Sequence, residues 1–281
     1  MKKFIFLFFC IFNFISPINV TIVTQPDVYS DYLLFLDKRD PLTITNYSGS
    51  YARRDVLELV MVLQALKKGE LKDFKYKIIT SPTDRRDIAF LEKGDADIRG
   101  TSIWDNEIDS FANTLYKSIP VIKNGQFEAG FYTVLKNQKA LNSKSFDDIK
   151  NLTVVSSKLW TVDWKTLTNL NIHNLVDVAK WESMVNLVKN NRADILLAPF
   201  QPTSDMSFEA EGAIFYPIKN IKISLDGSRH FAVSKVSKNG KQIFEALNKG
   251  LILMEKEGLI NKIYIDSGFF NPSVKNWKKV N

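Results

Sequence analysis

The chain is poor in the residues that most directly announce chemistry. Among its 281 residues there is one cysteine, Cys10, and two histidines, His173 and His230. Cys10 lies in an apolar run near the N-terminus, so a form lacking that run has neither disulfides nor thiol chemistry. The histidines are not spaced for a metal site or a catalytic pair, so no metal or cofactor is expected. There is no G-x-S-x-G, no Walker A motif and no GxGxxG. After Ile15 no apolar stretch is long enough to span a bilayer. Excess charge is also scarce: without Lys2 and Lys3, 36 basic residues face 31 acidic ones, a net of +5, which gives no indication of nucleic-acid binding.

What is present is ordinary globular material, 45% hydrophobic and 25% charged, enough for one large or two medium domains. Lys2 and Lys3 followed by apolar residues from Phe4 to Ile15 have the layout of a secretory signal over residues 1–20, cut between Ser16 and Val20. The expected location is therefore the periplasm.

Val56, Leu59, Val60, Leu63 and Leu66 form one stripe, predicting an amphipathic helix over 53–67 that stops at Gly69. Before it, residues 41–51 read as a β-branched strand running into a turn, and 21–36 read equally as strand or helix. Strand, helix and strand follow at 74–80, 84–94 and 96–103. A shift of 97 residues superposes a second unit at 173–179, 181–191 and 193–200, with Ala96-Asp97-Ile98 falling on Ala193-Asp194-Ile195. Between the units lie a strand at 152–158 and a helix at 162–170, again in βαβ style, so parallel sheets covered by helices are expected. Residues 221–235 read as strands around an Asp226-Gly227 turn, and the last helix starts at Gly240 and stops at Gly258. Two α/β lobes of this kind would face each other across a cleft at the carboxyl ends of their strands.

Several residues fall at those strand ends. Arg99 sits in a strand expected to be buried, so it pairs with Glu92, Asp95 or Asp97, or meets a ligand. Thr101 and Ser102 offer hydroxyls at the strand exit, to a ligand or to a local turn. Trp104 follows the exit of the first unit, and Trp160 follows the later strand, with Trp164 one turn on. They read as flat walls for a ligand or as packing. Ser156 and Ser157 precede a helix and serve an anion or a plain N-cap. Tyr47 and Tyr51 lie at a corner facing the cleft, with Tyr51 favoured over Arg53 as a contact, while Arg53 and Arg54 read as solvated helix-start residues. Phe200 ends the second unit, as ligand contact or packing. The ligand set read from the sequence is thus Tyr51, Arg99, Thr101, Ser102, Trp104, Ser157, Trp160 and Phe200, with no catalytic residue among them.

The order of parts resembles that of type II periplasmic solute-binding proteins, in the extracellular family three group that includes amino-acid-binding proteins. The residues carrying the resemblance are Gly94-Asp95-Ala96-Asp97-Ile98 entering Gly100-Thr101-Ser102-Ile103, Ser118-Ile119-Pro120, Ser145 to Lys150, Arg192-Ala193-Asp194, and the helix from Leu247 to Tyr264 with Gly258. The resemblance implies a two-lobed α/β fold, with 21–119 plus 233–281 in the first lobe, 125–228 in the second, and hinges near 119–132 and 228–234. It implies a monomer that captures a small polar solute by hinge closure and presents it to a membrane permease of the ABC type or to a sensor. Members that bind amino acids carry an arginine shortly after the Gly-x-Thr/Ser stretch, whereas this chain has Glu107 there. The alternatives are a dehydratase-like enzyme on the same fold, with Glu107 or Asp163 as acid or base, and an interaction or sensor protein without transport.

Overall fold

The computed structural model describes residues 17–71 and 73–281, so the signal segment, with Cys10, lies outside the described residues as far as Ser16. Along the chain come β1 (Asn19–Thr24), α1 (Pro26–Leu36), α2 (Arg54–Lys68), β2 (Lys75–Thr80), α3 (Asp84–Lys93), β3 (Ile98–Arg99), β4 (Ile103–Trp104), α4 (Asp105–Asp109) and β5 (Leu115–Lys117). Then follow β6 (Glu128–Val134), α5 (Gln138–Leu141), α6 (Phe146–Lys150), β7 (Thr153–Ser156), α7 (Thr161–Asn169), β8 (Asn174–Asp177), α8 (Trp181–Lys189), β9 (Ile195–Pro199), β10 (Phe208–Ala210), β11 (Ala213–Pro217) and β12 (Ile221–Ser224). The chain closes with β13 (Arg229–His230), β14 (Ala232–Ser234), α9 (Gly240–Lys256), α10 (Leu259–Asp266) and β15 (Lys278–Lys279).

Two sheets result. The first runs β2-β1-β3-β14-β5 and the second β10-β11-β6-β9-β7-β8. Their cores correspond: β2, β1 and β3 are parallel and followed by antiparallel β14, as β8, β7 and β9 are followed by antiparallel β6. The 97-residue repeat is thus a repeat of hydrogen bonding. Asp97 accepts from the Thr21 amide at 2.7 Å and donates its own amide to the Thr21 carbonyl at 2.8 Å. Asp194 does the same with Thr153, at 2.8 and 2.9 Å. Each Ala-Asp-Ile therefore clips its strand to the middle strand of its parallel trio, β1 or β7. Replacing either aspartate by alanine removes a charge-assisted bond, and each variant is expected to lose about 1–3 kcal/mol in urea unfolding. A loss confined to one of the two would show that the repeat is not mechanically equivalent.

The ambiguous 21–36 stretch is both things, the strand β1 and then α1, with Pro26 opening the helix. Residues 41–47 form no strand. The Gln64 amide donates to the Pro41 and Ile44 carbonyls, both at 2.9 Å, while its oxygen accepts from Tyr47 Oη at 2.7 Å. A buried side chain thus supplies partners that a ladder would otherwise provide. α2 is buried on every side from Val56 to Leu66 rather than along one stripe, because α1, α9 and α10 cover the faces the sheet leaves. α2 and α9 approach so closely that a Cβ on Gly250 would stand 1.9 Å from the Ala65 carbonyl oxygen.

The strands flanking Asp226-Gly227 do not pair with each other. β12 joins β6 and β15, β13 joins β4, and β14 joins β3 and β5. This stretch passes from one sheet to the other alongside residues 118–128: Val121 donates to the Arg229 carbonyl at 2.9 Å, and Arg229 to the Ile122 carbonyl at 2.8 Å. A third passage follows α10. Asn271 donates to the Gln201 carbonyl at 3.2 Å, Trp277 packs edge-on to Phe200 at 5.4 Å, and β15 pairs with β12 in the second sheet.

Candidate functional site

The parallel strands of both sheets end where buried polar atoms lack partners. Thr24 Oγ1 at the end of β1, Thr101 Oγ1 after β3 and Ser156 Oγ at the end of β7 are buried without a hydrogen bond, as are Nε and Nη1 of Arg54 at the start of α2. Such atoms are costly to leave unsatisfied, so their concentration at strand ends marks a candidate site. Two surface grooves lie elsewhere, beside Phe244 and Ile252 on α9 and beside Leu42 and Phe74, and neither is lined by a buried atom without a partner. Among the described residues no group of side chains is arranged to hold a metal ion, and no helix is long and apolar enough to cross a membrane.

Aromatic rings position the arginines. Phe127 sits on the first crossing segment with Arg54 above its ring at 5.2 Å and Arg229 at 5.6 Å. Arg229 also lies 4.7 Å from the Trp104 ring, its direct cross-strand neighbour between β13 and β4. Its Nε donates to Ser102 Oγ at 3.1 Å and its Nη2 to the Ser102 carbonyl. Ser102 is a node: its amide and hydroxyl donate to Glu58 at 2.8 and 2.7 Å, and Glu58 also accepts from Tyr264 Oη at 2.9 Å. Burial and the nearby charge of Arg54 pull the Arg229 pKa down to about 10. Arg54 pairs with Asp55, and Arg53 is tied to Asp27, Asp31 and Asp55, so neither is a solvated helix-start residue.

Asp163, in the first turn of α7, approaches this group from the second sheet. Burial pushes its pKa up to about 6, against the pull of Arg229 and Arg54 and with a further push from Glu107. Glu107 in α4 is likewise raised by burial, with Arg229 and Arg99 holding it back.

The residues singled out from the sequence are distributed as follows. Arg99 is 3% exposed and fully engaged, by Asp84, by Asp87 at 3.0 Å, and by the carbonyls of Thr101 and Ser102; its partners are acids of α3 rather than Glu92, Asp95 or Asp97. Thr101 keeps its hydroxyl unpartnered, whereas that of Ser102 is taken by Glu58 and Arg229. Trp104 is buried with Arg229 on its ring and Gly227 against its edge. Ser157 accepts from the Leu159 amide at 3.2 Å and its carbonyl from Trp160 at 3.0 Å, shaping the turn into α7. Trp160 caps α7 and packs 6.3 Å from Trp181, in an aromatic row that continues through Phe208. Lys158 lies over the Trp164 ring at 5.4 Å. Tyr51 is half exposed at the corner before α2, and Tyr47 is buried on Gln64. Phe200 anchors Trp277 of the C-terminal passage.

Glu58, Phe127 and Arg229 were not singled out, and Arg54 was read only as a solvated helix-start residue. Their contacts with Ser102, Tyr264 and one another span 44 to 206 residues of chain, which local pattern does not report. Glu58 falls outside the stripe of Val56, Leu59, Val60, Leu63 and Leu66, on the face that the pattern assigns to solvent.

Two mixed sheets of matching strand order, joined by crossing segments and flanked by helices, with unpartnered polar atoms at the strand ends, define the type II periplasmic-binding-protein fold. Solved structures bear this out. The periplasmic VFT2 domain of Bordetella pertussis BvgS matches with a TM-score of 0.55 at 15% identity, over 93% of both chains. An amino acid ABC transporter substrate-binding protein from Streptococcus pneumoniae, bound to L-arginine, gives 0.55 at 16% identity over 89% of this chain and 94% of that one. The probable amino-acid ABC transporter extracellular-binding protein ytmK from Bacillus subtilis gives 0.56 at 12% identity, over 90% and 98%. No protein-family model and no curated protein matches the chain.

Proposed function

We propose that this protein binds a small polar solute in the cleft between its two lobes and closes on it by rotation about the crossing segments near 119–132 and 228–234, delivering it outside the cytoplasm to an ABC-type importer or a sensor. The observation that carries this reading is that buried polar atoms without partners lie at the strand ends of both sheets, Thr24 and Thr101 in the first and Ser156 in the second, with Asp163 of α7 within electrostatic reach of Arg54 and of Arg229 on the crossing segment. The matched structures include proteins described as substrate-binding and extracellular-binding, and the same task is assigned here. The leader reading is compatible with a cut ahead of Ile18, since the Ile18 carbonyl accepts from Lys75 at 2.8 Å and Val20 is fully buried.

Thermal unfolding of refolded protein, screened against amino acids, amines, sugars, organic acids and peptides, is expected to show a saturable rise of the midpoint for one chemical class. A ligand at about 100 times its Kd adds about 2.7 kcal/mol to the native state. No shift across the whole panel would overturn the solute reading. Asp163, with its pKa near 6, also suits a general acid or base. Chromatography of the bound compound separates the two, because a binder returns it unchanged.

A further inference from the structure

Asparagine or aspartate followed by glycine occurs three times in the chain, as Asn124-Gly125, Asp226-Gly227 and Asn239-Gly240, and two of the three share the tripeptide Lys-Asn-Gly. Such pairs can cyclise, because glycine has no side chain to hinder attack of its backbone nitrogen on the preceding side-chain carbonyl. The reaction requires a glycine nitrogen that is not held in a hydrogen bond, room for the backbone to turn, and stabilisation of the charge that develops on the side-chain oxygen. The fold meets these conditions at one pair and withholds them at the other two.

Asn124 and Gly125 are exposed, in the turn 123–126 of the first crossing segment, which the Gln126 amide closes by donating to the Lys123 carbonyl at 3.0 Å. Gly125 has φ +80°, a Cβ there would meet nothing within 4 Å, and its amide has no protein partner among the described residues. The Asn124 side-chain oxygen accepts from the Gly227 amide of the neighbouring stretch at 3.0 Å, a fixed donor on the atom where negative charge appears when the carboxamide is attacked. That same bond occupies the Gly227 nitrogen and so shields Asp226. Gly227 is confined besides, with the Trp104 ring 3.0 Å from where its Cβ would lie. At the third pair the Gly240 amide, at the start of α9, donates to the Ser237 carbonyl at 3.1 Å, and a Cβ would stand 1.9 Å from the Ser234 carbonyl oxygen. Cyclisation there has to break the entry into the helix.

We propose that Asn124 is a site of spontaneous covalent modification, at which the first crossing segment alters its own backbone. The Gly125 nitrogen, its proton taken by hydroxide, bonds to Cγ of Asn124. The carboxamide nitrogen takes a proton from water and leaves as ammonia, and water then opens the cyclic imide at one carbonyl or the other, giving aspartate or isoaspartate. Isoaspartate routes the chain through the side chain and adds one methylene to the backbone. The turn lies between the two places where the crossing stretches are bonded to each other, Val121 and Ile122 with Arg229 on one side and Phe127 with Leu225 at 2.8 Å on the other. The added length therefore falls on the connection between the lobes, and a new carboxylate appears beside the Asp226-Gly227 turn. The chemistry needs no ligand in the cleft.

The test is peptide mapping by mass spectrometry of the protein aged in mildly alkaline buffer, folded and in parallel in urea, with isoaspartate confirmed by enzymatic methylation of its carboxylate. In the folded protein Asn124 is expected to convert at least about tenfold faster than Asn239, the factor implied by breaking one hydrogen bond before reaction, while Asp226 stays unchanged. In urea the two Lys-Asn-Gly sites are expected to convert at closely similar rates, since only the fold distinguishes them. Asn124→Gln, whose longer side chain closes a ring less readily, is expected to abolish the change in that peptide. Hydrogen exchange at the Leu225 and Gly227 amides is expected to be faster in the aged protein than in fresh protein. An Asn124 that stays unchanged in the folded protein, or that converts no faster than Asn239, would overturn the site. Exchange at Leu225 and Gly227 indifferent to conversion would overturn the effect assigned to the crossing segment.

Discussion

Glu58→Ala is expected to be among the most damaging single substitutions in the chain, costing at least about 4 kcal/mol. Glu58 is fully buried in the central helix, and its oxygens accept from the Ser102 amide at 2.8 Å, the Ser102 hydroxyl at 2.7 Å and Tyr264 Oη at 2.9 Å. Alanine leaves all three donors without acceptors in a low-dielectric interior, at about 1–3 kcal/mol each. It also removes a negative charge that supports Arg229, whose pKa burial and Arg54 already depress. A domain of this kind has about 5–15 kcal/mol of total stability, so the variant would stand near the limit of folding. Glu58→Gln separates the two contributions, because it keeps an acceptor and the shape while losing the charge. Urea unfolding of both variants is the measurement. A glutamine variant close to wild type with a crippled alanine variant would assign the effect to hydrogen bonding. Equal damage would assign it to charge, and an alanine variant within about 1 kcal/mol of wild type would refute the role given to Glu58.

The second large effect is expected at Gly250. A Cβ there would stand 1.9 Å from the Ala65 carbonyl oxygen and 2.6 Å from its carbon, atoms of helix backbone that cannot rotate away. The contact is reciprocal, since a Cβ on Gly69 would lie 1.8 Å from the Ala246 carbonyl oxygen. Gly250→Ala therefore forces α2 and α9 apart along their whole interface, where Val62, Leu66, Leu247 and Leu251 are fully buried. Overpacking that a side-chain shift can relieve costs about 1–3 kcal/mol, and this clash has no such relief, so about 3 kcal/mol or more is expected. Circular dichroism during urea titration reads it. A midpoint unchanged from wild type would mean that the helices part freely, contradicting the close packing.

The elements built on local pattern were legible in the sequence. The stripe from Val56 to Leu66, the strands β2 and β7 and the paired Ala-Asp-Ile signatures needed only the sequence pattern to be read, and the last of these correspond to matching hydrogen bonds in both sheets. Residues 41–47 were misread as a strand because their partner, Gln64, lies in a helix packed over them. The Asp226-Gly227 turn suggested a hairpin, yet its flanking strands find partners about 100 residues upstream, Ile223 with Ala129 and His230 with Ile103. Of the candidate site, the strand ends were legible and the contacts between elements were not. Thr101 and Ser156 lie at the strand ends as expected, while Arg229 and Glu58 acquire their roles through contacts that only the folded chain creates. Trp104 was read as a wall for a ligand or as packing, and its ring carries Arg229, a pairing set by the register of β13 on β4.

The C-terminal passage changes the mechanics of the molecule. Two adjacent crossing strands alone let one lobe both swing and twist against the other. Here Phe200 holds Trp277, β15 holds β12, and Asn281 exchanges hydrogen bonds with the Ser224 backbone at 2.8 and 2.6 Å, so a third tether fastens the helical end of the first lobe to the far sheet. The rotation proposed about the two crossing segments must therefore be accommodated by this third attachment as well.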